Sequence, residues 1–311
     1  MKKFIYASIA SMLLFTACSE DDDNDSTTMS TITQKFENLP DLGNDYVYEG
    51  WLIGMGENPD KTSTGRFTNV EGVNYQSSEI DMDKASQAMA YVLTIEPKNE
   101  TGIELLEPSG LFFSKGSFSG DIASPSTDGA LFESGDLSAA TGQFFLKAPS
   151  VGTVGSDANG IWFIDALPPT KGGFESLPTL TSGWVYEGWV VVNDESGNPT
   201  PISTGRFTDS NTADVSFSGA ANNNEFKGTN GVPPFPGEDF IADPNNKYSN
   251  IAFPIDLTSA TIVISIEPAE NDEITPFALK PFVKELNNQS TGMVVELMNK
   301  YNGVISGKVT R

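Results

Sequence analysis

The sequence predicts an all-β protein: two tandem antiparallel β-sandwich domains with long irregular loops. Three observations predict it. Phe36-Glu37-Asn38-Leu39-Pro40, Tyr48-Glu49-Gly50-Trp51 and Ser63-Thr64-Gly65-Arg66-Phe67-Thr68 return in the same order as Phe174-Glu175-Ser176-Leu177-Pro178, Tyr186-Glu187-Gly188-Trp189 and Ser203-Thr204-Gly205-Arg206-Phe207-Thr208, so the chain is a duplicated module. Short runs of alternating apolar residues recur between turn residues, which is the pattern of half-buried strands. Glycine (29) and proline (19) are plentiful and long amphipathic stretches are scarce, as in sandwiches built from many turns.

At the N-terminus, Lys2 and Lys3 precede an apolar run from Phe4 to Ala17. That run is shorter than the about 20 residues a membrane-spanning helix needs, and it reads as a signal peptide over residues 1–17. It ends in Leu14-Phe15-Thr16-Ala17-Cys18, which resembles a bacterial lipoprotein signal cleaved before the cysteine. The resemblance implies a lipid on the Cys18 thiol, although Phe15 stands where leucine is usual. An unpaired reactive thiol outside the cytoplasm is otherwise a liability, which agrees with lipidation. Residues 18–35 open with Ser19-Glu20-Asp21-Asp22-Asp23-Asn24-Asp25, a like-charge block that cannot collapse, and read as a disordered acidic tether. An acidic run there is similar to the export tag of surface lipoproteins in Gram-negative bacteria. The expected location is the outer membrane, lipid-anchored and facing outward.

The first module is expected over residues 36–167. Tyr46 to Ile53 alternates, with Val47, Glu49, Trp51 and Ile53 on one face and Tyr46, Tyr48, Gly50 and Leu52 on the other. The turn Gly56-Glu57-Asn58-Pro59-Asp60 joins it to the Ser63–Thr68 strand as a hairpin. Residues 168–173, Pro-Pro-Thr-Lys-Gly-Gly, read as the linker, and the second module is expected over 174–311. Later strands have counterparts too: Tyr91–Pro97 matches Ile262–Pro268, and Thr141–Leu146 is read as matching Thr291–Glu296. Gly160–Ile164 is read as matching a closing strand near Gly303-Val304-Ile305. The copies are 138 residues apart at Trp51 and Trp189, 171 at Glu96 and Glu267, and 150 at Gly142 and Gly292. The differences place extra residues after Arg206 in the second copy and after Glu96 in the first, in loops that tolerate length change.

Composition excludes several functions. Without the signal, 16 basic and 42 acidic side chains remain, a net charge near −26 that repels nucleic acid. The chain has no histidine, so Ser-His-Asp and Cys-His catalysis and imidazole zinc sites are absent. A carboxylate pair of the glycosidase kind stays open. Cys18 is the one cysteine, so no intramolecular disulfide forms, and each module holds together by burial.

Tyr48, Trp51, Gly65, Phe67, Glu96 and Pro97, with Tyr186, Trp189, Gly205, Phe207, Glu267 and Pro268, resemble the extracytoplasmic C-terminal domain of anti-sigma-K factors. The resemblance covers the core strands of each copy. It implies a β-sandwich outside the cytoplasm; it does not carry over sigma-factor inhibition, which in that family belongs to a separate cytoplasmic helical domain.

Among residues of chemical type, Glu49 with Arg66 and Glu187 with Arg206 read as cross-strand pairs that set hairpin register, with a binding or catalytic pair as the sharper alternative. Glu96 and Glu267 are expected to satisfy backbone N–H groups. Trp51 and Trp189 are expected in the core, with stacking on a sugar or partner as the alternative. Asp81 with Asp83, Asp209 with Asn211 and Asp214, and Asp243 with Asn245 offer oxygen ligands for calcium, but none has EF-hand spacing, and solvated turns also explain them. No other cofactor is expected. The reading is a non-enzymatic surface lipoprotein whose two modules serve binding, sensing or envelope structure. Its partners would be the membrane, through the anchor, and a protein or glycan. A carbohydrate-active enzyme with two carboxylates, or a periplasmic regulator of envelope signalling, is the alternative.

Overall fold

The computed structural model describes residues 27–69, 73–152, 156–215, 225–301 and 305–311. Cys18, the signal segment and Asn222-Asn223-Asn224 lie outside the described residues. The protein is almost entirely antiparallel β. In chain order the strands are β1 (Met29–Glu37), β2 (Tyr46–Ile53), β3 (Lys61–Phe67), β4 (Val73–Asp81), β5 (Ala90–Pro97), β6 (Phe112–Ser119) and β7 (Ile122–Ala123). There follow β8 (Thr141–Leu146), β9 (Gly160–Trp162), β10 (Ile164–Asp165), β11 (Lys171–Gly172), β12 (Phe174–Glu175), β13 (Trp184–Asn193) and β14 (Pro199–Phe207). The last are β15 (Gly237–Asp239), β16 (Thr261–Pro268), β17 (Phe282–Glu285), β18 (Val294–Leu297) and β19 (Ser306–Thr310). One α-helix, α1 (Met82–Gln87), is capped by the Asp81 carboxylate, which accepts from the N–H groups of Asp83 and Lys84.

The duplication is visible in the sheets. The orders β3-β2-β5-β6 and β14-β13-β16-β17 are the same four strands in the two copies. In each, the repeated Ser-Thr-Gly-Arg-Phe string builds a β-bulge. Gly50 faces Gly65 but Trp51 faces Ser63, leaving Thr64 as the extra residue; Gly188, Gly205, Trp189, Ser203 and Thr204 repeat the step. Gly65 (φ 99°) and Gly205 (φ 119°) take backbone conformations that other residues resist. Phe67 and Phe207 then enter the core and stack on Tyr48 and Tyr186 at 5.7 and 5.6 Å. Each tyrosine hydroxyl donates to a proline carbonyl of the repeated Leu-Pro segment, Pro40 at 2.9 Å and Pro178 at 2.8 Å.

The strands that close each sandwich come from the other half of the chain. In the first module β19, the C-terminal strand, lies between β7 and β1, completing an eight-stranded sheet β3-β2-β5-β6-β7-β19-β1-β4. That sheet curls until β3 and β4 approach, where Gln76 donates to the Thr64 carbonyl at 3.3 Å. In the second module β8, from the first half, pairs with β12, β9 and β18. Phe174 of β12 reaches across to Phe207 (5.6 Å) and Phe282 (5.7 Å), joining the two sheets of the sandwich. Gly307 and Gly142 hold equivalent places: Gly307 faces Phe36 and Gly142 faces Phe174. A Cβ at either would fall 2.5 or 2.8 Å from the facing phenylalanine ring.

Three sequence expectations are corrected by this exchange. The module boundaries do not fall at residues 167 and 174, because β8 and β9 serve the second sandwich and β19 the first. The counterpart of Thr141–Leu146 is Ser306–Thr310, whereas Val294–Leu297 is its sheet neighbour. Short Gly-led strands carry too little information to say which copy they complete. Gly160–Trp162 pairs with β8 and β15, while Gly303 and Val304, where its counterpart was expected, lie outside the described residues. The tether of residues 18–35 is also too long: Met29–Lys35 already belong to β1, where Ile32, Gln34 and Phe36 point inward and are buried. Within the 168–173 linker, Lys171–Gly172 pairs with Ile164–Asp165.

Candidate functional site

Glu49 and Arg66 face each other across the β2–β3 ladder, with Arg66 Nε 3.2 Å from Glu49 Oε2; Glu187 and Arg206 do the same at 3.0 Å. Ser63 Oγ donates to Glu49 at 2.5 Å and Ser203 Oγ to Glu187 at 2.6 Å. Each serine oxygen also accepts the N–H of the bulge glycine, Gly65 or Gly205, at 3.1 or 3.0 Å. The guanidinium continues outward to the chain after β5 or β16. Arg66 reaches the Pro97 carbonyl and the Glu100 carboxylate, and Arg206 the carbonyls of Ala269 and Asn271. Burial pushes the Glu49 and Glu187 carboxyls up, while the serine hydroxyl and the arginine pull each back down.

Trp51 and Trp189 are buried beside these pairs. Their indole N–H groups donate to Thr94 Oγ1 (3.0 Å) and Ser265 Oγ (2.9 Å), whose hydroxyls donate in turn to Glu96 and Glu267. Glu96 also accepts the Ser109 N–H at 2.9 Å and Glu267 the Phe277 N–H at 2.8 Å. Burial raises the Glu267 carboxyl to about 7. The repeated polar residues thus form a bracket that ties the hairpin to the loop after the next strand.

A second set of acids joins one of the calcium candidates, Asp214, with two residues that sequence reasoning missed, Glu238 and Asp239. Asp214, Glu238 and Asp239 are buried in the second module. Asp239 accepts from Ser150 N–H (2.7 Å), Ser150 Oγ (2.5 Å) and Trp162 Nε1 (2.8 Å). Burial lifts Asp214 to about 8 and raises Glu238 strongly, the charges of Asp214 and Asp239 adding for Glu238. All three side chains lie in the interior, Asp214 at 1% and Glu238 and Asp239 at 0% exposure. Of the calcium candidates, Asp81 caps α1, Asp209 accepts the Asn211 N–H (2.8 Å), and Asp243 accepts the Tyr248 N–H (2.7 Å). Among the described residues no group of three or more acidic or thiol side chains is placed to hold a metal ion.

The junction of the two modules is open to solvent. Phe277 packs on Trp184 (6.0 Å) and, edge-on, on Tyr46 of the first module (4.7 Å). Trp184 Nε1 donates to the Phe112 carbonyl at 3.1 Å. The segment Thr179–Thr181 pairs with Leu131–Glu133, through Glu133 N–H to the Thr179 carbonyl (2.8 Å) and Thr181 N–H to the Leu131 carbonyl (3.0 Å). Beside this seam lies a groove of 850 Å³. Val92, Leu111 and Phe112 line one wall and Pro268, Glu270 and Asn271 the other, with Lys115 from the first module and Thr181 and Ser182 from the seam. Phe112 is 44% exposed there. The wall at 268–271 is the segment that Arg206 holds through its two carbonyl contacts.

No protein-family model, curated protein or solved structure matches this chain. The groove and the brackets are therefore interpreted from their own chemistry. The groove residues escaped sequence reasoning because they come from strands and loops far apart in the chain and become neighbours only when the modules dock.

Proposed function

We propose that this protein is a non-enzymatic, lipid-anchored binding protein of the outer cell surface, which holds a protein or glycan ligand in the groove between its modules. The modules are read as relatives of the anti-sigma-K extracytoplasmic domain without its inhibitory role. One observation carries the reading: the groove is lined by the exposed Phe112, by the apolar Val92, Leu111 and Pro268, and by the charged Lys115 and Glu270. That mixture suits a neutral ligand with apolar and hydroxyl-bearing sides, because rings stack on phenylalanine while polar groups fix orientation. Glu270 is the one carboxylate among the described lining residues, and glycoside hydrolysis takes two, which supports binding over catalysis.

The test is binding of the mature protein to arrayed glycans and envelope proteins, with Phe112→Ala and Glu270→Ala as groove variants. The reading expects both variants to lose the wild-type ligand while keeping the wild-type unfolding curve. Ligand binding indifferent to both substitutions would place recognition elsewhere. Protease shaving of intact cells checks the outward location: a surface protein is digested and a periplasmic one survives.

A further inference from the structure

The mature chain has six methionines, Met29, Met55, Met82, Met89, Met293 and Met298, and all six are exposed. Four of them gather at one end of the first module. Strand β2 runs from Tyr46, packed on Phe277 of the second module, to Ile53 at the opposite end. At that far end the Met89 N–H donates to the Ile53 carbonyl (2.8 Å), and the Met82 N–H donates to the Thr28 carbonyl (2.8 Å), beside Met29. Helix α1 closes the end by burying Ala85, and Arg311 holds it there through the carbonyls of Ala85 (2.9 Å) and Ala88 (2.5 Å). Lys84 of the helix meets Asp60 (3.5 Å) in the turn that carries Met55. Met82, the least exposed of the four, is still 45% open.

We propose that this end of the first module is a lipid-contact surface, seated on the bilayer to which Cys18 is tied. The proposal rests on reading Cys18 as the anchor. Cys18 stands eleven residues before Met29, a span of at most about 40 Å at full extension. The anchored chain therefore emerges at the methionine-rich end, away from the module junction. Unbranched, polarizable thioethers adapt to an irregular interface and sink a short way into the boundary between headgroups and acyl chains. Lys84 pairs with Asp60 (3.5 Å), Lys61 with Glu107 and Arg311 with Asp121 (3.9 Å), so these cations are already balanced by carboxylates and the surface suits zwitterionic headgroups over anionic ones. Strand β6 runs from Phe112 at the groove to Ser119 at this end, so a seated protein carries its groove about 25 Å off the bilayer.

Methionine oxidation reads the surface directly, since exposed thioethers oxidise and shielded ones do not. The purified chain 18–311 is coupled through its single thiol, Cys18, to a maleimide-bearing lipid in phosphatidylcholine vesicles. This supplies an anchor whether or not the cell acylates Cys18, and the mass of the cell-derived protein tests that acylation separately. Peroxide oxidation is then compared on vesicles and in solution by peptide mass. The expected result is a fall of at least about threefold for Met29, Met55, Met82 and Met89, with Met293 and Met298 unchanged. Equal rates on and off vesicles would overturn the proposal. So would protection of all six, or protection in vesicle-free protein that grows with concentration, which would give the face to a second copy.

Discussion

Duplication puts one ion pair into two degrees of burial in a single molecule, and this makes a controlled experiment. Arg206 is 5% exposed at its side chain and Arg66 is 23% exposed, while their partners Glu187 and Glu49 are equally buried. Arg206→Met removes the contact to Glu187 and the two carbonyl contacts that hold residues 269–271. It leaves a carboxylate in the interior with only Ser203 to support it. Breaking a buried pair from one side costs about 3–5 kcal/mol. Arg66→Met exposes its site to water more readily, and a cost of about 1–2 kcal/mol is expected. Burial already pushes the Glu187 carboxyl up, and without arginine it rises further, so lowering the pH neutralises the stranded group. The Arg206→Met penalty should therefore be smaller in acidic than in alkaline solution. Adding Glu187→Gln to Arg206→Met should recover part of the loss. Urea unfolding in acidic and in alkaline solution measures all of this. Equal losses at the two arginines, or an Arg206 penalty indifferent to pH, would refute the bracket as described.

Other predictions follow from the same geometry. Folded-state carboxyls at about 8 (Asp214) and about 7 (Glu267) hold protons that the unfolded chain releases near pH 4. Their stabilisation is complete below that range and is lost as pH rises to about 8, so the thermal midpoint should fall over this window and Asp214→Asn should flatten the fall. Gly205→Ala should cost at least about 2 kcal/mol in urea unfolding, because φ there is 119° and a Cβ would sit 2.5 Å from Asp214. Deleting residues 306–311 removes the buried Val309 and opens the middle of the first sheet. It should cost at least about 4 kcal/mol and unfold both modules in one transition, as followed by circular dichroism.

Much of the scaffold was legible because the repeat preserves residues with fixed mechanical duties. Ser63 holds a carboxylate and the bulge glycine, Gly65 makes the bulge, Arg66 closes the bracket and Phe67 fills the core, so the string returns whole at Ser203–Phe207. The hairpins and the equivalence of β5 with β16 follow from that. What stayed hidden depends on distance in the chain. Gln34 looks like part of a polar tether, yet it is buried against Tyr91 and Thr64, and its strand is recognisable only beside β4 and β19. Gly142 and Gly292 align better by eye than Gly142 and Gly307, but only the latter pair faces the same phenylalanine of each copy. The groove was illegible for a related reason: Phe112 opens β6 and Glu270 follows β16, far apart in the chain, and they meet through docking.

The exchange of closing strands is what locks the modules and fixes the groove between them, and disulfide trapping tests it most directly. Lys35 lies opposite Lys308 in the β1–β19 ladder; had each copy kept its own strand, Lys35 would face Gln143 instead. In a Cys18→Ala background, Lys35→Cys with Lys308→Cys should oxidise to an intramolecular disulfide, since facing strand positions bring Cβ atoms to about 5 Å. Lys35→Cys with Gln143→Cys should stay reduced. A disulfide in the second protein and none in the first would contradict the interlocked fold.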